Sequence, residues 1–161
     1  MQVTIDVPQT LAPGQGETIW FLGTAVTVKT AGEETDDAYS VAEHLAPVGF
    51  SPPVHIHRNE DETFYVLEGD VSFFSGDTVF RGGPGTYVRM PRSVPHTFRV
   101  EGDAPARLLI MTAPAGFERF IRASGVPAGD RTAPAPPPTA SDIERMLATA
   151  PSYGIEFLAP E

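Results

Sequence analysis

From about residue 17 to residue 113 the chain is written in short β-branched and aromatic runs, broken every few residues by Gly, Pro, Asp or Asn. That punctuation constrains the fold more than any other feature, because it predicts strands and turns in close succession. Strands are expected at 18–22, 25–29, 39–45, 54–57, 63–67, 71–74, 86–90, 96–100 and 107–111. So many short strands in so few residues imply a sandwich or barrel, and the turns "EGD", "SGD" and "RGGPG" suit antiparallel connections. A parallel α/β arrangement is disfavoured.

After "LLIMTAPA" the period changes. Phe117, Phe120 and Ile121 fall at i, i+3 and i+4, which predicts a short helix packed by one face. "VPAGDRTAPAPPPTA" is rich in Pro and Ala and reads as an extended linker. A second helix is expected in "SDIERMLATA", where Ser141 and Glu144 have capping-box spacing and Ile143, Met146 and Leu147 form an apolar stripe suited to packing. The expected organisation is one domain: a barrel with a closing helix over 1–125, a linker over 126–140, and a C-terminal helix and tail over 141–161 packed on the barrel. At 161 residues the chain can enclose a core without disulfides, and it has no cysteine.

Composition narrows the partners. Eleven basic against 21 acidic side chains give a formal charge of -10, which disfavours nucleic acid and anionic lipid. "MQVTIDVPQTLAPGQG" lacks the basic start and apolar run of a signal peptide, and no segment is long and apolar enough to cross a bilayer, so a cytoplasmic protein is expected.

The chemistry concentrates in "GFSPPVHIHRNEDETFYVLEG", residues 49–69. Alternate residues of a strand share a face, so His55 and His57 project to the same side and can reach one ion. Glu62 shares its strand face with Phe64 and Val66, and His96 opens a further strand with Phe98 and Val100 on its own face. Three imidazoles and a carboxylate suit one divalent transition metal, Fe, Ni, Mn, Co, Cu or Zn. Glu60 and Asp61, the rivals of Glu62, are read as solvated surface charges, although Asp61 fits a shorter spacing from His57. His44 shares no motif and is read as a satisfied or exposed strand residue without a role. Phe64, Phe98, Phe117 and Phe120 are candidates for a substrate pocket, with core packing the commoner use of phenylalanine. Arg89 and Arg92 are surface arginines that would orient an anionic substrate only if they flank the barrel mouth. "RGGPG" lacks the lysine and helix of a phosphate loop and is a turn.

The first stretch resembles the first motif of the cupins, G(X)5HxH(X)3,4E(X)6G, with Gly49, His55, His57, Glu62 and Gly69 in place. "GTYVRMPRSVPHTFRV" resembles the second, G(X)5PxGxxH(X)3N, through Gly85, Pro91 and His96, with Ser93 replacing the glycine and Val100 the asparagine. The resemblance implies an all-β, jelly-roll-like double-stranded β-helix with short C-terminal helices, and metal ligation by His55, His57, Glu62 and His96. "HxHxxxxETFYVLEG" together with "LLIMTAPAGFERF" is most similar to small cupins of the quercetin 2,3-dioxygenase kind. That likeness implies an oxidoreductase that uses O2 to cleave a metal-chelated flavonol-like or enolic diketone-like substrate, aromatic or polyketide-like, with Glu62 as the catalytic base. The same ligands would serve a non-oxidative isomerase, cyclase or lyase, or a cupin that binds a small molecule without catalysis. Similar cupins imply a homodimer, for which an exposed sheet edge offers a route.

Overall fold

The computed structural model describes residues 7–159. The first six residues of the N-terminal stretch read above for a signal peptide, and the last two of the C-terminal tail, lie outside the described residues. Within them the backbone forms β1 (Glu17–Phe21), β2 (Thr24–Thr30), β3 (Ser40–Ala46), β4 (His55–His57), β5 (Asp61–Glu68), β6 (Asp70–Ser75), β7 (Thr78–Gly82), β8 (Tyr87–Met90), β9 (Thr97–Glu101), β10 (Ala106–Ala113), β11 (Val126–Pro127) and β12 (Ile155–Phe157). Two helices, α1 (Phe117–Ser124) and α2 (Ala140–Thr149), follow the main run of strands. All nine expected strands are present, with ends displaced by a few residues at most.

The largest sheet has the order β11-β1-β2-β3-β10-β5-β8, all antiparallel. Facing it are β7-β6-β9 and the pair β12-β4, which a bridge between His55 and His96 ties together. The two layers make a double-stranded β-helix. Period-2 burial explains why these segments are strands: in β3 and β10 alternate residues are buried while their neighbours face outward. Phe64, Val66, Phe73, Phe98, Val100 and Leu108 fill the space between the layers. A second apolar cluster, including Ile19, Phe21, Val28, Phe120, Ile121, Met146 and Ile155, seats both helices against the large sheet.

Three strands are absent from the sequence expectation. The first, β7, has no buried residue, with Val79 and Phe80 both more than half exposed, so it shows no alternation to detect. Val126 and Pro127, expected to open the linker, instead pair with Trp20 and Ile19 on the edge of β1. In β12 only three residues follow a 3-10 turn, too few for a period, yet they pair with β4 and set Ile155 opposite His57 and Phe157 opposite His55. The expected cap of α2 is also corrected. Thr139, not Ser141, caps the helix: its hydroxyl accepts from Asp142 N, and the Asp142 carboxylate accepts from Thr139 N at 2.8 Å. Of the expected stripe only Met146 is buried; Ile143 and Leu147 lie on the solvent side.

Glu118 locks α1 to the barrel. Its buried carboxylate accepts from Gly32 N at 3.0 Å and from Gly116 N at 2.9 Å, so the charge sits on two amide donors that would otherwise be unpaired. This fixes Phe117 and Phe120 over one end of the barrel.

Candidate metal centre

His55 and His96 are direct antiparallel partners, each amide donating to the other's carbonyl at 3.0 Å, and their rings lie 4.6 Å apart. His57 projects to the same side as His55, as the strand period requires. Glu62 comes from the opposite layer, on β5, level with Thr112 of β10 and Met90 of β8. The two layers thus bring His55, His57, Glu62 and His96 together, all buried, with one donor atom from each lying within 4.8 Å of the others. Glu62 Oε2 is 2.9 Å from His96 Nε2 and 3.4 Å from His57 Nε2.

The far side of each ring decides what the near side can do. His55 Nδ1 is 2.8 Å from Pro53 O, and His96 Nδ1 is 3.0 Å from Val94 O. A carbonyl only accepts, so both rings carry their proton on Nδ1. His57 Nδ1 is 2.8 Å from the Glu60 carboxylate, which likewise accepts. With each ring neutral, as a metal ligand must be, all three protons are spent outward and the Nε2 lone pairs of His57 and His96 are turned toward a carboxylate oxygen. His57 Nε2 is buried with no protein hydrogen-bond partner. Lone pairs confronting a carboxylate repel unless a cation lies among them, so these residues fit a divalent metal, held by imidazole nitrogen and carboxylate oxygen.

Burial, with the neighbouring His57 and His96, pushes the His55 pKa down to about 4. Burial alone would raise Glu62, but the imidazoles of His57, His96 and His55 outweigh it and hold the carboxyl at about 2. For His57 burial opposes the charged form, yet Glu62 and Glu60 together raise its pKa.

Residues 41–112 match the Cupin domain family. The chain carries a cupin domain. It is similar to quercetin 2,3-dioxygenase of Bacillus subtilis, 25% identical over 154 residues, which is 96% of this chain and 45% of that protein. The chain spans about half the length of the curated relatives it matches. Among solved structures it resembles a predicted oxalate decarboxylase from Thermotoga maritima, with TM-score 0.60 and 16% identity over 66% of this chain and 99% of that one. It also resembles the polyketide cyclase RemF from Streptomyces resistomycificus, with TM-score 0.57 and 21% identity over 66% of this chain and 80% of that one. At such identities these structures support the fold alone.

The cupin motifs have local structural reasons here. Gly49, Gly69 and Gly85 all take positive φ, and a Cβ on Gly69 would come within 2.7 Å of Ala106 Cα. Ser93, at the motif's glycine position, also has a positive φ, 66°, so the turn keeps its left-handed shape and its N–H donates to His57 O at 2.7 Å.

Glu60 departs from expectation, and Asp61 and His44 do so in part. Glu60 is not a solvated charge; it is 2% exposed and holds His57. Asp61 is partly covered and accepts from Arg89 and Arg92 at 2.9 and 3.1 Å, which commits both arginines to it rather than to a substrate. His44 is buried, and lines a cavity of about 40 Å³ beside the histidine cluster. Phe64, Phe98, Phe117 and Phe120 line the same cavity, as do Leu22, Phe50 and, from β12, Phe157. Neither Glu60 nor His44 belongs to a motif, but strand parity would have found Glu60, since residues 60, 62, 64 and 66 share one face.

Proposed function

We propose that this cupin is a metal-dependent dioxygenase that cleaves an enolic diketone-like or flavonol-like substrate with O2. The observation that carries this reading is the set of three imidazoles whose Nδ1 protons are committed outward while their remaining nitrogens and Glu62 converge. His55, His57, His96 and Glu62 would hold one divalent transition metal, which when bound supplies Lewis acidity toward an enol or hydroxyl oxygen. Likeness to a quercetin 2,3-dioxygenase along nearly the whole chain supports the choice of reaction.

The chain's own residues account for the rest. Glu62 lines the cavity as an ionised carboxylate and would act as the base for the substrate's hydroxyl proton. Apolar walls from Phe64, Phe98 and Ile110 exclude water from the reacting carbons. The cavity is small, about 40 Å³, which favours the diketone-sized substrate over the flavonol-sized one. We also read the protein as a homodimer formed through a sheet edge, such as β7 with its exposed Val79 and Phe80.

The test is metal content after mild purification, compared between the parent and His57→Ala, followed by oxygen-electrode traces with pentane-2,4-dione and 3-hydroxyflavone. The expected result is about one metal per chain in the parent, loss of it in the variant, and oxygen uptake with the diketone. Consumption of either substrate without oxygen uptake would move the protein to the non-oxidative isomerases, cyclases or lyases. No consumption by metal-loaded protein would refute the enzyme. Light scattering tests the dimer.

A further inference from the structure

His44 lies on β3 with its side chain inward, on the face it shares with Ser40, Ala42 and Ala46. Its ring stands edge-on to Phe50 and Phe98, with centroids 5.7 and 5.9 Å away, and lines the cavity beside the histidine cluster. One nitrogen, Nε2, is 2.8 Å from Thr24 Oγ1. The Thr24 hydroxyl in turn donates to Phe21 O at 2.6 Å. Since a carbonyl cannot donate, the hydroxyl proton is committed to Phe21, and the hydroxyl oxygen can only accept from His44. The proton of His44 therefore sits on Nε2, the reverse of the three cluster histidines, and Nδ1 is left as a bare lone pair.

That lone pair is buried and has no hydrogen-bond partner among the described residues. Burial keeps the ring neutral, pushing its pKa down to about 4 with only partial opposition from the charge on Glu62. A phenylalanine would fill this space among Phe50 and Phe98 without leaving an unpaired acceptor. A neutral ring with its tautomer set by a two-step relay and an unpaired acceptor, on a residue that lines an apolar cavity, is suited to receive a donor.

We propose that His44 Nδ1 accepts a hydrogen bond from a hydroxyl or N–H on the molecule bound in this cavity, which makes His44 a specificity-determining residue. The ligand it selects is small and largely apolar, and carries one hydrogen-bond donor besides the oxygen offered to the histidine cluster. This extends the reading of the cavity as the substrate site, but the acceptor role needs no metal, so it can be tested on metal-free protein.

The experiment uses full-length protein labelled with ¹⁵N-histidine and freed of metal by chelator. Long-range ¹H–¹⁵N spectra report the tautomer of each histidine, and titrations with propan-2-ol and with acetone compare two probes of nearly equal size, one with a donor and one without. His44 is expected as the Nε2–H tautomer, its Nδ1 resonance moving with propan-2-ol and not with acetone, and propan-2-ol binding about tenfold more tightly. His44→Phe should remove that preference. An Nδ1–H tautomer in the parent, or a response that is absent or equal for the two probes, would overturn the proposal. Because the parent's spectra suffice, misfolding of His44→Phe would not protect it. Failure here leaves the His57→Ala metal result standing, and failure of that result leaves this one standing.

Discussion

Replacing Glu60 by alanine tests whether the outward hydrogen bonds are what prepare the cluster for a metal. Glu60 touches His57 at Nδ1 only, at 2.8 Å, and its carboxylate is buried with that ring. A hydrogen bond to a charged group contributes about 1.5–3 kcal/mol net, and each 1.4 kcal/mol is a factor of ten in a binding constant. If the whole of that term orients His57 and raises its basicity toward a metal, Glu60→Ala weakens metal binding by about tenfold to a hundredfold, the range found for outer partners of metal-ligating histidines. A water entering the space left by the side chain would accept from Nδ1–H in its place, which sets the loss nearer the lower end. Glu60→Gln separates geometry from charge: its amide oxygen still accepts from Nδ1–H but carries no charge, so its loss should be under about tenfold. The assay is a chelator-competition titration with Zn(II) or Co(II) on each variant, with spectra confirming that the barrel is folded. Parent-like affinity in Glu60→Ala, to within about twofold, would refute the reasoning and make Glu60 a packing residue.

Two further outcomes follow from the backbone. Ser93 holds a left-handed conformation that costs a side-chain-bearing residue about 1 kcal/mol, so Ser93→Gly should stabilise the protein by about that much in a urea melt, and unchanged or lower stability would contradict it. The amide and hydroxyl of Thr139, with Arg145, lower the Asp142 carboxyl from 3.8 to about 2. Its folded pKa is thus below its unfolded one, so its contribution is complete above about pH 4 and is lost as pH falls toward 2. Amide-exchange protection at the start of α2 should fall through that window in the parent, and Asp142→Asn should lack this pH-dependent step.

What the sequence made legible was whatever repeats on a short period. β-branched and aromatic runs between turn residues revealed nine strands, most of them alternating in burial, while β7, which buries no residue, left no trace. The cap of α2 was ambiguous because Thr139 with Asp142 and Ser141 with Glu144 both have the right spacing. The structure takes the earlier pair, so the helix begins as soon as the proline run 136–138 ends. His44 was hidden for a different reason. In "SVAEHLA" the inward residues are Ser, Ala, His and Ala while Val41 and Leu45 face outward, so hydrophobicity points to the wrong face, and only the pairing of β3 with β2 and β10 turns it inward.

Glu60 does for His57 what backbone carbonyls do for His55 and His96. His55 and His96 each enter their strand from a loop, and each satisfies Nδ1 with the carbonyl two residues upstream, Pro53 and Val94. His57 does not copy them. The carbonyl two residues before it belongs to His55 and accepts from the amide of His96 in the antiparallel bridge. The acceptor for His57 Nδ1 comes instead from a side chain, because the chain turns back after Arg58 and Asn59 to deliver Glu60 three residues later. Two of the imidazoles are thus oriented by backbone that their own strands supply, and the third by a carboxylate that no motif records.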